Sequence, residues 1–190
     1  GKAWQALITE AIEDLSKDTF YKSFCACCEF LTGYDSTLVV WLGRAHKPIS
    51  LFDNIPERYS ERTELPWISG AYLLDPFYRA AVDKKRSGLH RLSDLAPEGF
   101  EKTEYYRSYF KHTEIKDEIG YIIHISPDQF LNISLSRLSF AQRFNRSQIS
   151  TLSDIGAVVE AICKALDMDS CEGLEKSTGA ALNKLMQNIG

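Results

Sequence analysis

Residues 104–110, Glu-Tyr-Tyr-Arg-Ser-Tyr-Phe, place Tyr105, Tyr106, Tyr109 and Phe110 within six positions. A core that needs only filling uses leucine and isoleucine. Rings with hydroxyl tips supply apolar area and keep a donor or acceptor at the end, which suits the wall of a small-molecule cavity. More aromatic residues lie upstream: Tyr59, Trp67, Tyr72 and Tyr78, with Phe77 beside the last. In a helix Tyr105 and Tyr109 share a face, and so do Tyr106 and Phe110. The bland alternative has these rings wedging the helix onto a sheet with their hydroxyls in water. Two carboxylates accompany them as candidate polar anchors. Asp75 stands before Pro76 and reads first as a helix N-cap, worth about 1 kcal/mol. A free oxygen facing inward would add a site for a ligand N–H or cation. Glu118 opens a strand and either closes the cavity or pairs with a lysine. Trp41 and Ile123, each in an apolar strand pattern, complete the candidate lining. Such rings suit an aromatic acid, an amide or a lactone equally.

Catalytic patterns do not compete with this reading. The chain has no Gly-x-Ser-x-Gly elbow, no His-Glu-x-x-His, no phosphate loop and no dinucleotide fingerprint. His46, His90 and His112 are scattered, and His124, between Ile123 and Ile125, reads as structural. Cys25, Cys27 and Cys28 crowd together, but no second Cys or His pair answers them as zinc requires. A dyad of Cys25 or Cys163 with a histidine has nothing to orient it. The expectation is a non-enzyme with no metal and no cofactor, its thiols packed in a core. Five cysteines, an odd number, argue against a secreted disulfide framework and for a reducing cytoplasm. A net charge of −4 makes this chain a poor nucleic-acid binder. No apolar run reaches membrane-spanning length, and no signal-peptide pattern opens the chain.

At 190 residues, 44% hydrophobic, the chain is long enough for one domain with a real core. Trp4, Leu7, Ile8, Ala11, Ile12 and Leu15 form a helical stripe over 3–16. A second helix is predicted from an N-cap at Asp18 to Leu31, stopped by Gly33. Strands follow at 36–43 and 47–54. Residues 56–70 are polar with scattered aromatics, and 75–88 read as a helix ended by Gly88. A short strand and a turn then lead to Thr103, which caps the tyrosine helix. The plainest hairpin pairs 118–126 with 130–139. In its second strand Leu131, Ile133 and Leu135 alternate with Asn132, Ser134 and Ser136, predicting one buried and one wetter face. Asn145 and Gln148 form a capping box, with Phe144 and Ile149 as a staple. The helix they open carries the stripe Ile149, Leu152, Ile155, Val159, Ile162, Leu166.

This order predicts an α/β (α+β) domain: a central antiparallel sheet of about five or six strands, within the usual size. The first and last helices cover one face. A helical and loop insertion covers a pocket on the other, as in GAF and PAS-type sensory domains.

The succession Tyr72-x-x-Asp75-Pro76-Phe77-Tyr78, Leu92-Ser93-Asp94-Leu95, Glu104-Tyr105-Tyr106-Arg107 and Asp117-Glu118-Ile119-Gly120 resembles the N-terminal domain of LuxR-type transcriptional regulators. More narrowly, it looks like the GAF-like subset preceding a LuxR-type helix-turn-helix, over residues 34–168. The resemblance implies a cytoplasmic, bacterial, homodimeric sensor domain over 1–168. It also implies a linker over 169–190 toward a DNA-binding domain beyond this chain, through which alone DNA would be bound. The effector would be a small molecule. Tyr59, Trp67 and Tyr72 depart from the tighter aromatic spacing of quorum-sensing members, so an acyl-homoserine lactone is the less favoured ligand. A protein-interaction module without a ligand and a GAF-fold enzyme are the alternatives.

Overall fold

The computed structural model describes residues 17–167. The predicted helix over 3–16, the side chain of Leu166 and the linker over 169–190 lie outside the described residues. Five strands form one antiparallel sheet: β1 (Ser36–Gly43), β2 (Ile49–Asp53), β3 (Gly88–Arg91), β4 (Ile115–Ser126) and β5 (Gln129–Leu138), in the order β2-β1-β5-β4-β3. The two predicted hairpins are β1–β2 and β4–β5, and the latter sits at the sheet's centre.

Helix α1 (Lys17–Thr32) and the long helix α7 (Arg146–Asp167) cover one face. Helix α1 is already helical at Lys17, one residue ahead of the expected Asp18 cap. It ends where Gly33 turns to φ 62°, and Arg137 donates to the exposed carbonyls of Thr32 and Gly33. The capping box of α7 forms as predicted: the Asn145 amide donates to Gln148 Oε1 at 2.9 Å, and the Gln148 amide to Asn145 Oδ1 at 3.0 Å. Phe20, Phe24, Cys25 and Cys28 from α1 and Leu152, Val159 and Cys163 from α7 pack onto Val39, Ile119, Tyr121, Ile123, Leu131, Ile133 and Leu135. Burial pushes the Cys25 thiol up to about 12 and Cys28 well above its ordinary value, so these thiols are inert packing groups.

The opposite face is built from short pieces: α2 (Glu57–Ser60), α3 (Glu64–Ser69), a 3-10 turn (Ala71–Leu74), α4 (Pro76–Val82), α5 (Leu92–Leu95) and α6 (Glu104–Ser108). Two predictions fail here. Helix α4 stops at Val82 rather than running to Gly88: the Arg86 amide turns back to Ala80 O, Lys85 adopts φ 52°, and Gly88 opens β3. In β5 the face expected to be wetter is also buried, because the insertion roofs it; Asn132, Ser134 and Ser136 are at most 6% exposed. No helix among the described residues is long and apolar enough to cross a membrane.

Candidate functional site

Strand register assembles the floor of a cavity under the insertion. Across β1, β5 and β4 three rungs face it: Ser36–Ser136–Glu118, Leu38–Ser134–Gly120 and Val40–Asn132–Ile122. The central column, from β5, is entirely polar. Gly120 is required by close approach: a Cβ there would come within 2.7 Å of the Phe77 ring and 3.1 Å of Asn132 Oδ1.

The roof is held by Asp75. Its Oδ1 accepts the Phe77 amide at 2.7 Å, the N-cap bond the sequence predicts for α4. Its Oδ2 accepts Trp67 Nε1–H at 2.6 Å and the Tyr105 hydroxyl at 3.1 Å. One buried carboxylate thus joins α3, α4 and α6. The Tyr109 hydroxyl donates to Thr63 O at 3.1 Å, a second tie between α6 and the roof. Hydroxyl-tipped rings in α6 therefore serve first as clamps, because their tips find partners where Leu or Phe would find none. Thr103 caps α6 by accepting the Tyr106 amide at 3.2 Å.

Between floor and roof lies a cavity of about 40 Å³, lined in part by Trp67, Asp75, Tyr105, Tyr109, Glu118, Asn132 and Ser134. It is far smaller than the several hundred cubic ångströms usual for a ligand pocket; at roughly 10–15 Å³ per enclosed water it holds a few waters. Its electrostatics are one-sided. Burial, and then the charge of Asp75, push the Glu118 carboxyl up to about 8, against a hydrogen bond from Ser134. Burial also raises Asp75, against the donors from Phe77, Trp67 and Tyr105. The phenols of Tyr105 and Tyr109 are pushed well above their ordinary value, chiefly by burial, and stay neutral donors. Asn132 is 5% exposed, and its Oδ1 has no hydrogen-bond partner among the described residues.

Of the predicted lining, Trp67, Asp75, Tyr105, Tyr109 and Glu118 meet at this cavity. Trp41 and Ile123 do not. Both are in register with Leu131 and so pack on the α1/α7 side; a one-residue change of parity moves a strand residue to the other face. Phe77 lies over Gly120 as packing, and Tyr72 packs tilted against Trp67 and edge-to-face against Tyr78, at centroid distances of 5.9 and 5.0 Å. Tyr59 is buried beneath the guanidinium groups of Arg58 and Arg62, 4.8 and 5.4 Å from its ring. Tyr106 turns outward onto Phe100. Sequence reasoning missed Glu64, Asn132, Ser134 and Ser136, also in the lining. For Asn132, Ser134 and Ser136 the signal was present as the polar register of β5, read as the wetter face; Glu64, in α3, had none. Among the described residues no group of three or more His, Cys, Asp or Glu side chains could hold a metal ion.

Comparison with solved structures bears on this arrangement. The chain is similar to the VqsR LBD domain from Pseudomonas aeruginosa, at 28% identity and a TM-score of 0.72, covering 86% of this chain and 96% of that one. It shares its fold with the N-acylhomoserine lactone dependent LuxR family transcription factor CepR2 from Burkholderia cenocepacia (11% identity, TM-score 0.58, 94% and 99% of the two chains). GAF3 from Slr1393 of Synechocystis also has this fold (10% identity, TM-score 0.54, 92% and 99%). No protein-family profile and no curated protein sequence matches the chain. The fold is GAF-like, and its structural match is to LuxR-family ligand-binding domains.

Proposed function

We propose that the chain is the small-molecule-sensing, dimerising input domain of a LuxR-type transcriptional regulator, cytoplasmic and not an enzyme. The observation that carries this reading is the cavity between the polar β5 floor and the Asp75-centred roof, in a chain 28% identical to a ligand-binding domain. DNA would be reached through a domain beyond residue 190. A route from cavity to output runs along β4: Glu118 lines the cavity, while its neighbour Asp117 accepts Arg91 Nε–H at 2.9 Å and the Phe144 amide at 2.9 Å, just ahead of α7. Occupancy that shifts Glu118 would shift the start of α7 and bias its far end. Dimerisation would use the α7 stripe, where Ile149, Ile155 and Ile162 stay only half-buried, with the stripe of residues 3–16. Sedimentation at tens of micromolar should show a dimer for ordinary interface affinities; a monomer would contradict it.

A thermal-shift screen against small metabolites tests the sensing role. A ligand at 100 times its Kd adds about 2.7 kcal/mol, or roughly 5–10 °C in a domain of this size. The 40 Å³ volume favours a second reading, a protein-interaction module with this space as core. A library that raises the melting temperature nowhere would select it.

A further inference from the structure

The cavity's ionisable lining is of one sign, and that sign, with one unpartnered buried acceptor, specifies a ligand class. Several donors on its wall are already used inside the protein. Trp67 and Tyr105 donate to Asp75, and Tyr109 donates to Thr63 O. Thr63 donates to Tyr59 O at 2.8 Å, and the single Ser134 hydroxyl proton is shared between Leu38 O, at 3.3 Å, and Glu118. The Ser36 and Ser136 hydroxyls line the same space. The amide oxygen of Asn132, deeply buried, has no donor among the described residues. The ionisable lining is Glu64, Asp75 and Glu118 together with the tyrosines, with no Lys, Arg or His.

We infer that the site takes a ligand bearing a protonated amine, whose ammonium enters between Asn132 and Glu118 beneath the rings of Trp67, Tyr105 and Tyr109. This inference rests on the sensing role proposed above and narrows its ligand class. A cation is the group such a wall lacks. It would supply a donor to the unpartnered Asn132 oxygen, let Glu118 ionise, and meet the faces of aromatic rings. A carboxylate ligand would meet Glu64, Asp75 and Glu118 with no cation beside them. An ammonium head is near a water in size and fits about 40 Å³, whereas the remainder of a larger molecule must lift the 57–69 segment. Trp67, in that segment, is fixed to the rest of the roof through Asp75.

The test uses three probes of one shape and different charge: tyramine, 4-hydroxyphenylacetamide and 4-hydroxyphenylacetate, each followed by calorimetry and thermal shift. Tyramine should bind, with the carboxylate at least tenfold weaker. Glu118→Gln and, at the half-exposed rim, Glu64→Gln should each weaken tyramine at least tenfold while circular dichroism stays native. If Glu118→Gln fails to fold, Glu64→Gln alone decides. Equal or tighter binding of the amide or carboxylate, or unchanged tyramine affinity in the folded variants, overturns the cationic class and leaves the sensing role standing. If none of the three binds at about 10 mM, beyond even millimolar affinity, the cationic class is likewise overturned. The sensing role is then judged by its own metabolite screen.

Discussion

The two faces of one sheet are built for different purposes. Under α1 and α7 the strands present Val39, Ile119, Ile123, Leu131, Ile133 and Leu135 to two long helices, and the result is a close apolar core. Under the insertion the same strands present a mixed face, Ser36, Asn132, Ser134, Ser136 and Glu118 beside Val40, Leu42, Ile122 and Phe130, and the cover is a set of helices of seven residues or fewer. The polar patch gains nothing from transfer of apolar area, so the cover packs its rings on Val40, Leu42, Ile122 and Phe130 around that patch and is tied across it by hydrogen bonds to Asp75. The strand alternation that stabilises one side equips the other for recognition.

The comparison breaks most visibly at adjacent positions of β5. Ile133→Ala, on the helix side, should cost about 2–5 kcal/mol because it opens a cavity in a closed core. Ser134→Ala, one residue away on the floor, should cost about 1 kcal/mol or less, as one hydroxyl shared between Leu38 O and Glu118 is lost and no apolar cavity opens. Urea denaturation of both variants measures the contrast; equal losses would deny it.

The roof should respond to its hub. Asp75→Ala removes the α4 cap and leaves the Trp67 N–H and Tyr105 hydroxyl without their acceptor. We expect about 2–4 kcal/mol of lost stability, from a cap and two buried donors. Hydrogen exchange should then rise over 57–82 while the amides of α1 stay protected. Uniform loosening of both faces would mean that the two sides are not separate units.

A smaller effect concerns pH. Glu118 titrates at about 8 in the folded chain against an ordinary 4.5, so the native state holds an extra proton between those values. Stability therefore falls as pH rises through that window and levels above it, because the unfolded chain there binds fewer protons. The melting temperature should drop by several degrees across it. Glu118→Gln should flatten the slope and be the more stable protein at pH 8. A wild-type profile that rises from pH 5 to 8 would contradict the assignment.

Local chemistry was legible in the sequence, whereas facing was not. The Asp75 cap, the Asn145–Gln148 box, the Thr103 cap and the central hairpin each rest on residues within a few positions of one another, and each is present. Trp41 and Ile123 were assigned to the cavity because they are apolar, but their side of the sheet is fixed by pairing with Leu131, from β5, which is 90 residues beyond Trp41. Asn132, Ser134 and Ser136 carried the opposite error. Serines alternating with leucines look the same whether they meet water or a polar cavity, and only the roof distinguishes the two. Tyr59 and Tyr72 had the right chemistry in a segment whose short helices turn them away from the cavity.

The central claim is that the polar face accommodates a small molecule. Native mass spectrometry of the wild-type protein and Ser134→Phe, both shown folded and exposed to the same metabolite extract, tests it most directly. We predict a small-molecule adduct on the wild type that the filled variant lacks. A bare wild-type mass, or the same adduct on both proteins, would contradict the account.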